Sequence, residues 1–355
     1  MKNNFFSIQR VKWLDISKAL VIYLVLLGHI VQFDGSIFRI IFSFHMPAFI
    51  IFSGYTLKVE NVSFKDFFIK KFKALMIPFF YFAILGMVLS ELFPCTHMSR
   101  IPINSLPFKN LLNGWPVYGH VGAIWFLNAL FWGSLISFIF IKIYELNKPI
   151  GALLFCCLFV TASYIRKIMS FIGIPVFPFR WDSSMMFAVF LLIGYFLRKS
   201  EILQAKISTG ACISVIFICS TLCLLCGYIK NGYVNICDCI YSNCIDYIIA
   251  AISGTLAIIY IAKLIELMPH ISSFLSDIGK HTLFIFALQA YAYQHLNYLV
   301  NKFCHTDFVV QYVPTKYLLY SIALALFSTL LLYAIKKMLN LLLAKAKFFL
   351  YNGKK

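Results

Sequence analysis

Long apolar runs, each about 17 to 23 residues in length, follow one another along the chain and are separated by short polar segments. A run of this length crosses a hydrocarbon core of about 30 Å as a helix. The first run follows a short polar leader without a small-residue cleavage site, which predicts a retained helix and not a signal peptide. The pattern predicts about ten transmembrane helices, at approximately 14–33, 37–57, 74–93, 120–141, 149–165, 183–199, 208–229, 246–264, 282–300 and 317–336.

Composition supports the same fold class. The 355 residues are 61% hydrophobic and only 12% charged, whereas a soluble globular chain carries roughly 25% charged residues. So few charges could not cover a water-exposed surface, which excludes a soluble protein. We therefore predict an all-α integral membrane protein with one transmembrane domain over 1–340 and a short basic tail over 341–355. The longest connecting segment, 94–119, is rich in proline and is predicted to form an irregular cap.

The basic residues are distributed unevenly between the two sides of the predicted bundle. Of the 31 lysines and arginines, 22 fall on the side that carries both chain ends, and 9 fall on the other side. The positive-inside rule then places both termini in the cytoplasm. The net charge of +18 is accounted for by this topology and by attraction to anionic membrane lipids, so nucleic acid is not expected as a partner.

The first predicted helix carries three ionisable residues on one stripe. Lys18 and His29 are eleven residues apart, within about 20° of three full turns and separated by a rise of about 16 Å, and Asp15 lies within about 40° of the same line. A snorkelling Lys18 and a hydrogen-bonded core His29 are the structural alternatives. Ionisable groups at membrane depth usually face a bundle interior or a wet cavity. An imidazole there is suited to accept the proton of an attacking hydroxyl, so all three residues are candidate catalytic residues.

The second predicted helix contains a histidine beside a proline. Pro47 frees a backbone carbonyl and kinks the helix, and this kink could turn His45 towards His29. A structural hydrogen bond accounts for His45 equally well, so its catalytic role stays open.

Two further stretches carry candidate binding residues. Lys70, Lys71 and Lys73 precede the third span, where lipid contact is the simple explanation and binding of coenzyme A phosphates is the functional one. Trp125 opens the fourth span, where it is either an interfacial anchor or a surface on which a sugar stacks. With Trp125 we group Asn128 and Tyr55 as candidate substrate-binding residues.

Taken together, these stretches resemble the membrane-bound acyltransferase-3 family, and within it the short members similar to fucose 4-O-acetylases. A later segment, Ile278–Leu283, is similar to the start of a late span in the family. The chain departs from the family pattern in two places: it has lysine where arginine is frequent in the loop cluster, and Gln289 near a frequent histidine. The matching stretches are Asp15–Lys18 with Gly28–His29, Phe44–Pro47 with Ser53–Tyr55, Lys70–Lys73 before Pro78, and Trp125–Leu127.

The resemblance implies a function and a location. Acetyl-CoA on the cytoplasmic side would donate an acetyl group, with no metal, to a hydroxyl of a glycan such as O-antigen, capsule or exopolysaccharide, or to its lipid-linked precursor. Lys18 and His29 would be essential, and Lys70 and Lys73 would help to hold coenzyme A. The protein would lie in the bacterial inner (cytoplasmic) membrane as a multi-pass O-acetyltransferase.

Several alternatives stay open from sequence. The transfer can be direct, or it can pass through an acyl-histidine intermediate. A transporter or flippase for a lipid-linked saccharide, and a non-catalytic scaffold in polysaccharide assembly, are the rival functions. The buried ionisable residues of the first two helices would be unexplained costs in a scaffold. A homo-oligomer or partners from polysaccharide assembly are compatible with the sequence.

Overall fold

The computed structural model describes residues 11–92, 119–174 and 177–352, and the regular secondary structure of these residues is helical. Outside the helices, these residues form only two isolated bridges, Val31 with Val313 and Asn235 with Ile240. The predicted all-α class is therefore confirmed. The predicted cap over 94–119 lies, apart from residue 119, outside the described residues.

Thirteen α-helices lie within the described ranges, and some continue into short irregular turns. The helices are α1 (Lys12–Ile30), α2 (Ser36–Phe42), α3 (His45–Tyr55), α4 (Phe64–Lys71), α5 (Ile77–Leu92), α6 (Trp125–Leu146), α7 (Lys148–Phe171), α8 (Trp181–Lys199), α9 (Thr209–Leu224), α10 (Cys244–Glu266), α11 (Pro269–Lys280), α12 (Thr282–Cys304) and α13 (Leu318–Asn352). A π-helical turn, Phe72–Met76, joins α4 to α5, and a second one, Leu225–Lys230, extends α9. Short 3-10 turns, Gly119–Ile124 and Pro178–Arg180, precede α6 and α8.

Polar side chains cap several helix starts. A helix leaves its first backbone N–H groups without partners, and an Asn or Ser just before it can accept from one of them. Ser63 accepts from the Asp66 N–H at 3.1 Å before α4, and Asn147 accepts from the Ile150 N–H at 3.1 Å before α7. Asn243 does the same for α10. These caps place the helix starts in the polar segments between the apolar runs.

Eight of the ten predicted spans correspond to helices that are long and apolar enough to cross a membrane. The third and ninth spans are also helices, α5 and α12. Only 16 residues form α5, and α12 carries several amides and a histidine that lower its hydropathy. The integral membrane character is thus supported, whereas the count of ten and the cytoplasmic termini stay predictions.

The bundle has two opposite faces, and each contains a cavity. Trp13, Tyr55 and Arg198 line a cavity at one face, and His29 and Ala123 line a cavity at the other. Helix α3 ends at the first face and α6 begins at the second, and α4, its π-helical turn and α5 lie between them in the chain as one continuous helix. Helices α11 and α12 likewise lie in the chain between Leu267 at the first face and Gln311 at the second.

Helix α1 is the central element of the bundle. It contacts α3, α10, α11, α12 and α13, and its buried side chains belong to the main hydrophobic core. The helix α8 is likewise enclosed, since it packs on α3, α6 and α7. This arrangement places the ionisable residues of α1 inside the protein and not against lipid, as the cost of burying such groups requires.

The second predicted span is interrupted. Its helix breaks at Ser43 and Phe44, so that α2 ends at Phe42 and α3 begins at His45. Pro47 is then the third residue of α3, within the first helical turn, where its missing N–H costs no hydrogen bond. The structure therefore shows the predicted distortion beside His45 as a break between two helices.

Candidate functional site

A cavity of about 380 Å³, which we call the histidine cavity, lies at the face where α1 ends. Its volume is in the range of small-molecule sites, roughly 300–1,000 Å³. The lining comes from distant parts of the chain and combines two imidazoles, six other aromatic rings, several apolar side chains and several polar groups. Its lining residues are His29, Phe33, Phe38, Phe42, His45, Met46, Gly122, Ala123, Trp125, Tyr233, Asn235, Ile236, Cys237, Asp238, Phe286 and Gln311.

The hydrogen bonding of His29 identifies which ring nitrogen carries the proton. Its Nδ1 lies 2.8 Å from the carbonyl oxygen of Val25, one turn earlier in α1. Because a carbonyl only accepts hydrogen bonds, Nδ1 must be the donor. The neutral ring then has its lone pair on Nε2, the atom that a general base needs. His29 is half-buried, in contact with the cavity.

His45 has the same kind of hydrogen bond as His29. Its Nδ1 donates to the carbonyl of Ile41 at 2.7 Å, which bridges the break between α2 and α3. The Phe42 ring contacts both imidazoles, with centroid distances of 5.7 Å to His29 and 4.7 Å to His45. The structure thus brings both predicted histidines to one cavity, each with its Nδ1 held by a carbonyl.

The predicted substrate-binding residues are separated by the structure. Trp125 is the first residue of α6 and lines the histidine cavity. Asn128 is fully buried one turn later and does not line it, and within the described residues neither polar atom of its amide has a hydrogen-bond partner. Tyr55 lies at the opposite face, where its ring contacts Trp13 at 5.4 Å. Only Trp125 of the three is therefore beside the histidines.

Asp15 and Lys18 form an ion pair near the start of α1. Lys18 Nζ lies 3.6 Å from Asp15 Oδ1, and the carboxylate is almost completely buried. Gly279 of α11 lies against the Asp15 carbonyl so closely that a Cβ there would overlap it. The pair is about 16 Å along α1 from His29, so it does not contact the imidazole.

The face opposite the histidines contains a larger cavity of about 1330 Å³, which we call the basic cavity. Five cationic residues line it: Lys58, Arg198, Lys199, Lys206 and Lys263. Glu60 neutralises part of this charge, since its Oε1 lies 2.9 Å from Arg198 and 3.2 Å from Lys199. Burial raises the pKa of Glu60, but hydrogen bonds from its backbone and from Lys199, with the charge of Arg198, lower it to about 2.

The three lysines of the predicted coenzyme A cluster lie elsewhere. Lys70 and Lys71 end α4, and Lys73 lies in the π-helical turn that follows. Among the described residues, none of the three forms an ion pair with a carboxylate. Burial, with the neighbouring charge of Lys70, lowers the pKa of Lys71 to about 8. This cluster therefore carries positive charge that no described carboxylate neutralises.

Sequence reasoning missed two groups of residues around the histidine cavity. One is the aromatic set on and beside α2, including Phe38 and Phe42, which read as ordinary membrane-spanning residues. The other is the segment 231–243 with Asp238, which read as a connecting loop. Its alternation of Tyr, Asn and Asp between two spans was the available signal, because polar groups on loops at a membrane face often bind ligands.

Arg180 was also missed, and it is the largest fully buried side chain. It lies in the left-handed region with φ of 59° and precedes α8. Its guanidinium Nε is 3.5 Å from Asp182 Oδ1, and its carbon Cζ is 5.9 Å from the centre of the Trp125 ring. Buried arginines are rare unless paired. Here the ion pair with Asp182 holds the guanidinium of Arg180 next to the Trp125 ring.

The fold and the site define a multi-pass membrane protein with two imidazoles at one cavity. A family model described as an acyltransferase domain matches residues 11–337. The chain therefore belongs to the acyltransferase-3 family, as the sequence motifs indicated, and is a membrane acyltransferase. A comparison with curated proteins finds no match.

Proposed function

We propose that this protein transfers an acetyl group from cytoplasmic acetyl-CoA to a hydroxyl of a cell-surface polysaccharide or of its lipid-linked precursor. The observation that carries the proposal is the pair of imidazoles, His29 and His45, which share one cavity with Nδ1 bonded to a carbonyl. The Nε2 of His29, which is half-buried at the cavity, is then available as a base.

In the proposed reaction, Nε2 of His29 accepts the proton of the acceptor hydroxyl. The hydroxyl oxygen forms a bond to the thioester carbonyl carbon, and the carbon–sulfur bond breaks. The thiolate of coenzyme A then takes the proton from the imidazolium and leaves as the thiol. General base catalysis of this kind contributes typically about 10²- to 10⁴-fold to a rate.

An acyl-histidine intermediate is the second route. There, Nε2 of His29 attacks the thioester carbonyl carbon, the carbon–sulfur bond breaks, and coenzyme A leaves as the thiolate. The acceptor oxygen then attacks the acyl-imidazolium and the nitrogen–acyl bond breaks. The freed imidazole takes the hydroxyl proton and releases it to solvent, from which the thiolate is protonated. The rise along α1 from Trp13 at the basic cavity to His29 is about 24 Å. An enzyme that holds donor and acceptor at opposite faces benefits from such a carrier, because the donor can leave before the acceptor reacts.

The donor is proposed to bind by its phosphates to Lys70, Lys71 and Lys73. The supporting observation is charge: within the described residues no carboxylate pairs with these lysines, whereas Glu60 pairs with two cations of the basic cavity. A phosphate-bearing ligand is attracted to the site that retains its charge. Lys18 and Asp15, which lie between the two faces, are proposed to orient the donor.

The test is a mass measurement on the surface glycans. The gene is deleted in its host and restored as wild type, as His29→Ala or as His270→Ala, an exposed histidine at the start of α11. Ester-linked acetyl groups are then quantified by mass spectrometry. We expect wild type and His270→Ala to restore the ester and His29→Ala, at equal membrane level, to lack it.

The same measurement separates the rival function. If the glycan esters are equal in all strains while the amount of exported glycan falls in His29→Ala, the protein is a transporter or flippase and the proposed reaction is wrong. If the ester mass differs from that of acetyl, the enzyme class stands and the donor is another acyl-CoA.

A further inference from the structure

One end of the histidine cavity is formed by the segment 231–243, which connects the π-helical turn after α9 to α10. Three of its polar side chains, Tyr233, Asn235 and Asp238, line the cavity. The mechanism above gives them no role. The Asp238 side chain is 37% exposed, so its carboxylate is not sealed into the protein as Asp182 is.

This segment is held in place by its own hydrogen bonds. The backbones of Asn235 and Ile240 exchange two hydrogen bonds of 2.8 and 2.9 Å. The Asn235 amide donates to Asp238 Oδ2 at 2.7 Å and to the Tyr233 hydroxyl at 3.2 Å. Arg166 donates to the Asp238 carbonyl at 2.6 Å. The three polar side chains are therefore fixed relative to one another before any ligand arrives, which reduces the entropy lost on binding.

A stack of aromatic rings connects this polar end to the histidines. The rings of Phe38 and Tyr233 are nearly parallel at 6.1 Å, and those of Phe38 and Phe42 are stacked at 3.7 Å. Phe42 in turn contacts both imidazoles. The C–H face of a pyranose ring packs on aromatic surfaces, while its hydroxyls need hydrogen-bond partners at the ring edge. The cavity provides both kinds of surface.

Asp238 is the only carboxylate among the described residues that line the histidine cavity, and no lysine or arginine lines it. Arg180 Nη2 lies 3.9 Å from Asp238 Oδ1, but its guanidinium is fully buried and also pairs with Asp182. A carboxylate has about four acceptor sites, so Asp238 retains acceptor capacity after its hydrogen bond from Asn235. It can accept hydrogen bonds from two neighbouring hydroxyls, and it repels an anionic group.

We infer that Tyr233, Asn235 and Asp238, with the stacked Phe38 and Phe42, form the acceptor subsite and select an uncharged pyranose over a uronate. This inference rests on the proposed function, because it names the sugar that receives the acyl group. Asp238 determines the specificity and positions the ring, while the proton transfer remains with His29.

The test compares two probes that differ at one carbon. The full chain in proteoliposomes is given radiolabelled acetyl-CoA with methyl galactoside or with methyl galacturonoside, in which a carboxylate replaces the C6 hydroxymethyl. Binding of each probe is measured separately by saturation-transfer NMR. The variants are Asp238→Asn, Asp238→Glu and, as a control, Asp307→Asn, an exposed carboxylate on the same face.

We expect wild type to bind and acetylate the neutral probe at least about tenfold better than the uronate. Asp238→Asn raises the KM for the neutral probe about tenfold or more and brings the ratio between the probes towards one, with the KM for acetyl-CoA unchanged. Asp238→Glu, which keeps the charge, and Asp307→Asn preserve the ratio. These results support the subsite.

Three results overturn it: a wild-type preference for the uronate, an Asp238→Asn variant with unchanged ratio, or no detectable binding of either probe. Failure of the proposed function has a different signature. In that case NMR shows the preference for the neutral probe and its loss in Asp238→Asn, while wild type forms no ester on either probe.

Discussion

At the scale of single residues, the carbonyl bonds at Nδ1 make the two histidines chemically similar, and their exposure makes them different. His29 is half-buried beside the cavity, whereas His45 is 1% exposed and is enclosed by α2 and α3. A base must reach the proton that it removes. His29 is therefore the residue expected to exchange the proton with the acceptor, and His45 to support it.

Replacement by glutamine separates these roles. His29→Gln keeps polarity and approximate size but has no titratable nitrogen, so we expect kcat to fall at least about 100-fold. His45→Gln is expected to lower kcat roughly tenfold, because the base remains. The measurement is the rate of coenzyme A release with saturating acceptor. Equal losses in both variants would contradict the division of roles.

Asn128 offers a residue-scale test of binding against packing. Its buried amide lacks partners among the described residues, and an unpaired buried polar group costs about 1–3 kcal/mol. Asn128→Leu is therefore expected to raise the thermal unfolding temperature, and to lower acyl transfer if the amide binds substrate. A variant with a lower unfolding temperature would show that the amide is satisfied in the native protein.

The sequence was sufficient to identify His29 and His45 as candidate site residues, but not the other residues that line the cavity. The stripe on α1 and the proline beside His45 identified two imidazoles, since their periodicity and the kink are local properties. Asp238 comes from a loop about 200 residues further along the chain than His29. Its position at the same cavity depends on the packing of α9 and α10, which no local pattern contains.

At the scale of helices, the lysine cluster at the end of α4 and the basic cavity are two alternative binding sites for acetyl-CoA, and substitutions distinguish them. Lys70→Gln with Lys73→Gln is expected to raise the KM for acetyl-CoA about tenfold or more, because each removes a charge that a phosphate would contact. The matched change, Lys206→Gln with Lys263→Gln in the basic cavity, is expected to leave this KM within about twofold. The reverse pattern would move the donor site to the basic cavity.

The lowered pKa of Lys71 gives the donor site a pH dependence. The amine is charged below a pKa of about 8 and loses its proton as the pH rises through that value, so the affinity for acetyl-CoA should weaken between pH 7 and 9. Lys71→Arg keeps the charge and should flatten the profile. A KM that is constant over this range in wild type would exclude Lys71 from the site.

Two glycines allow a close backbone contact between α3 and α8. A Cβ at Gly54 of α3 would overlap the Leu191 carbonyl, and one at Gly194 of α8 would overlap the Ile51 carbonyl. Small residues permit such close backbone approach between membrane helices. Because α3 carries His45, a displacement of this contact also moves the site.

At the scale of the whole molecule, sequence periodicity predicted the helices well and the number of spans less securely. The runs at α5 and α12 are short or polar, so composition alone does not identify them as spans. In the structure, α12 lies in the chain between Leu267 at one face and Gln311 at the other, which supports the ninth span, while the count of ten stays a prediction. The aromatic and polar lining of the histidine cavity likewise exists only once the faces are assembled.

Topology reporters test this arrangement. Fusions of green fluorescent protein and of alkaline phosphatase are placed after residues 60, 205, 238 and 307. The first two sites border the basic cavity and are expected to be cytoplasmic, and the last two are expected to be outside. A cytoplasmic signal at 238 or 307 would contradict both the orientation and the proposed access of the glycan.

The measurement that tests the central claim most directly is acyl transfer by the purified full chain in proteoliposomes, with radiolabelled acetyl-CoA outside and polysaccharide from the host inside. Wild type is predicted to place label on the enclosed polysaccharide as an ester that mild alkali releases, and His29→Gln is predicted to place none while His270→Ala matches wild type. Labelled polysaccharide at the wild-type rate in His29→Gln would contradict the account.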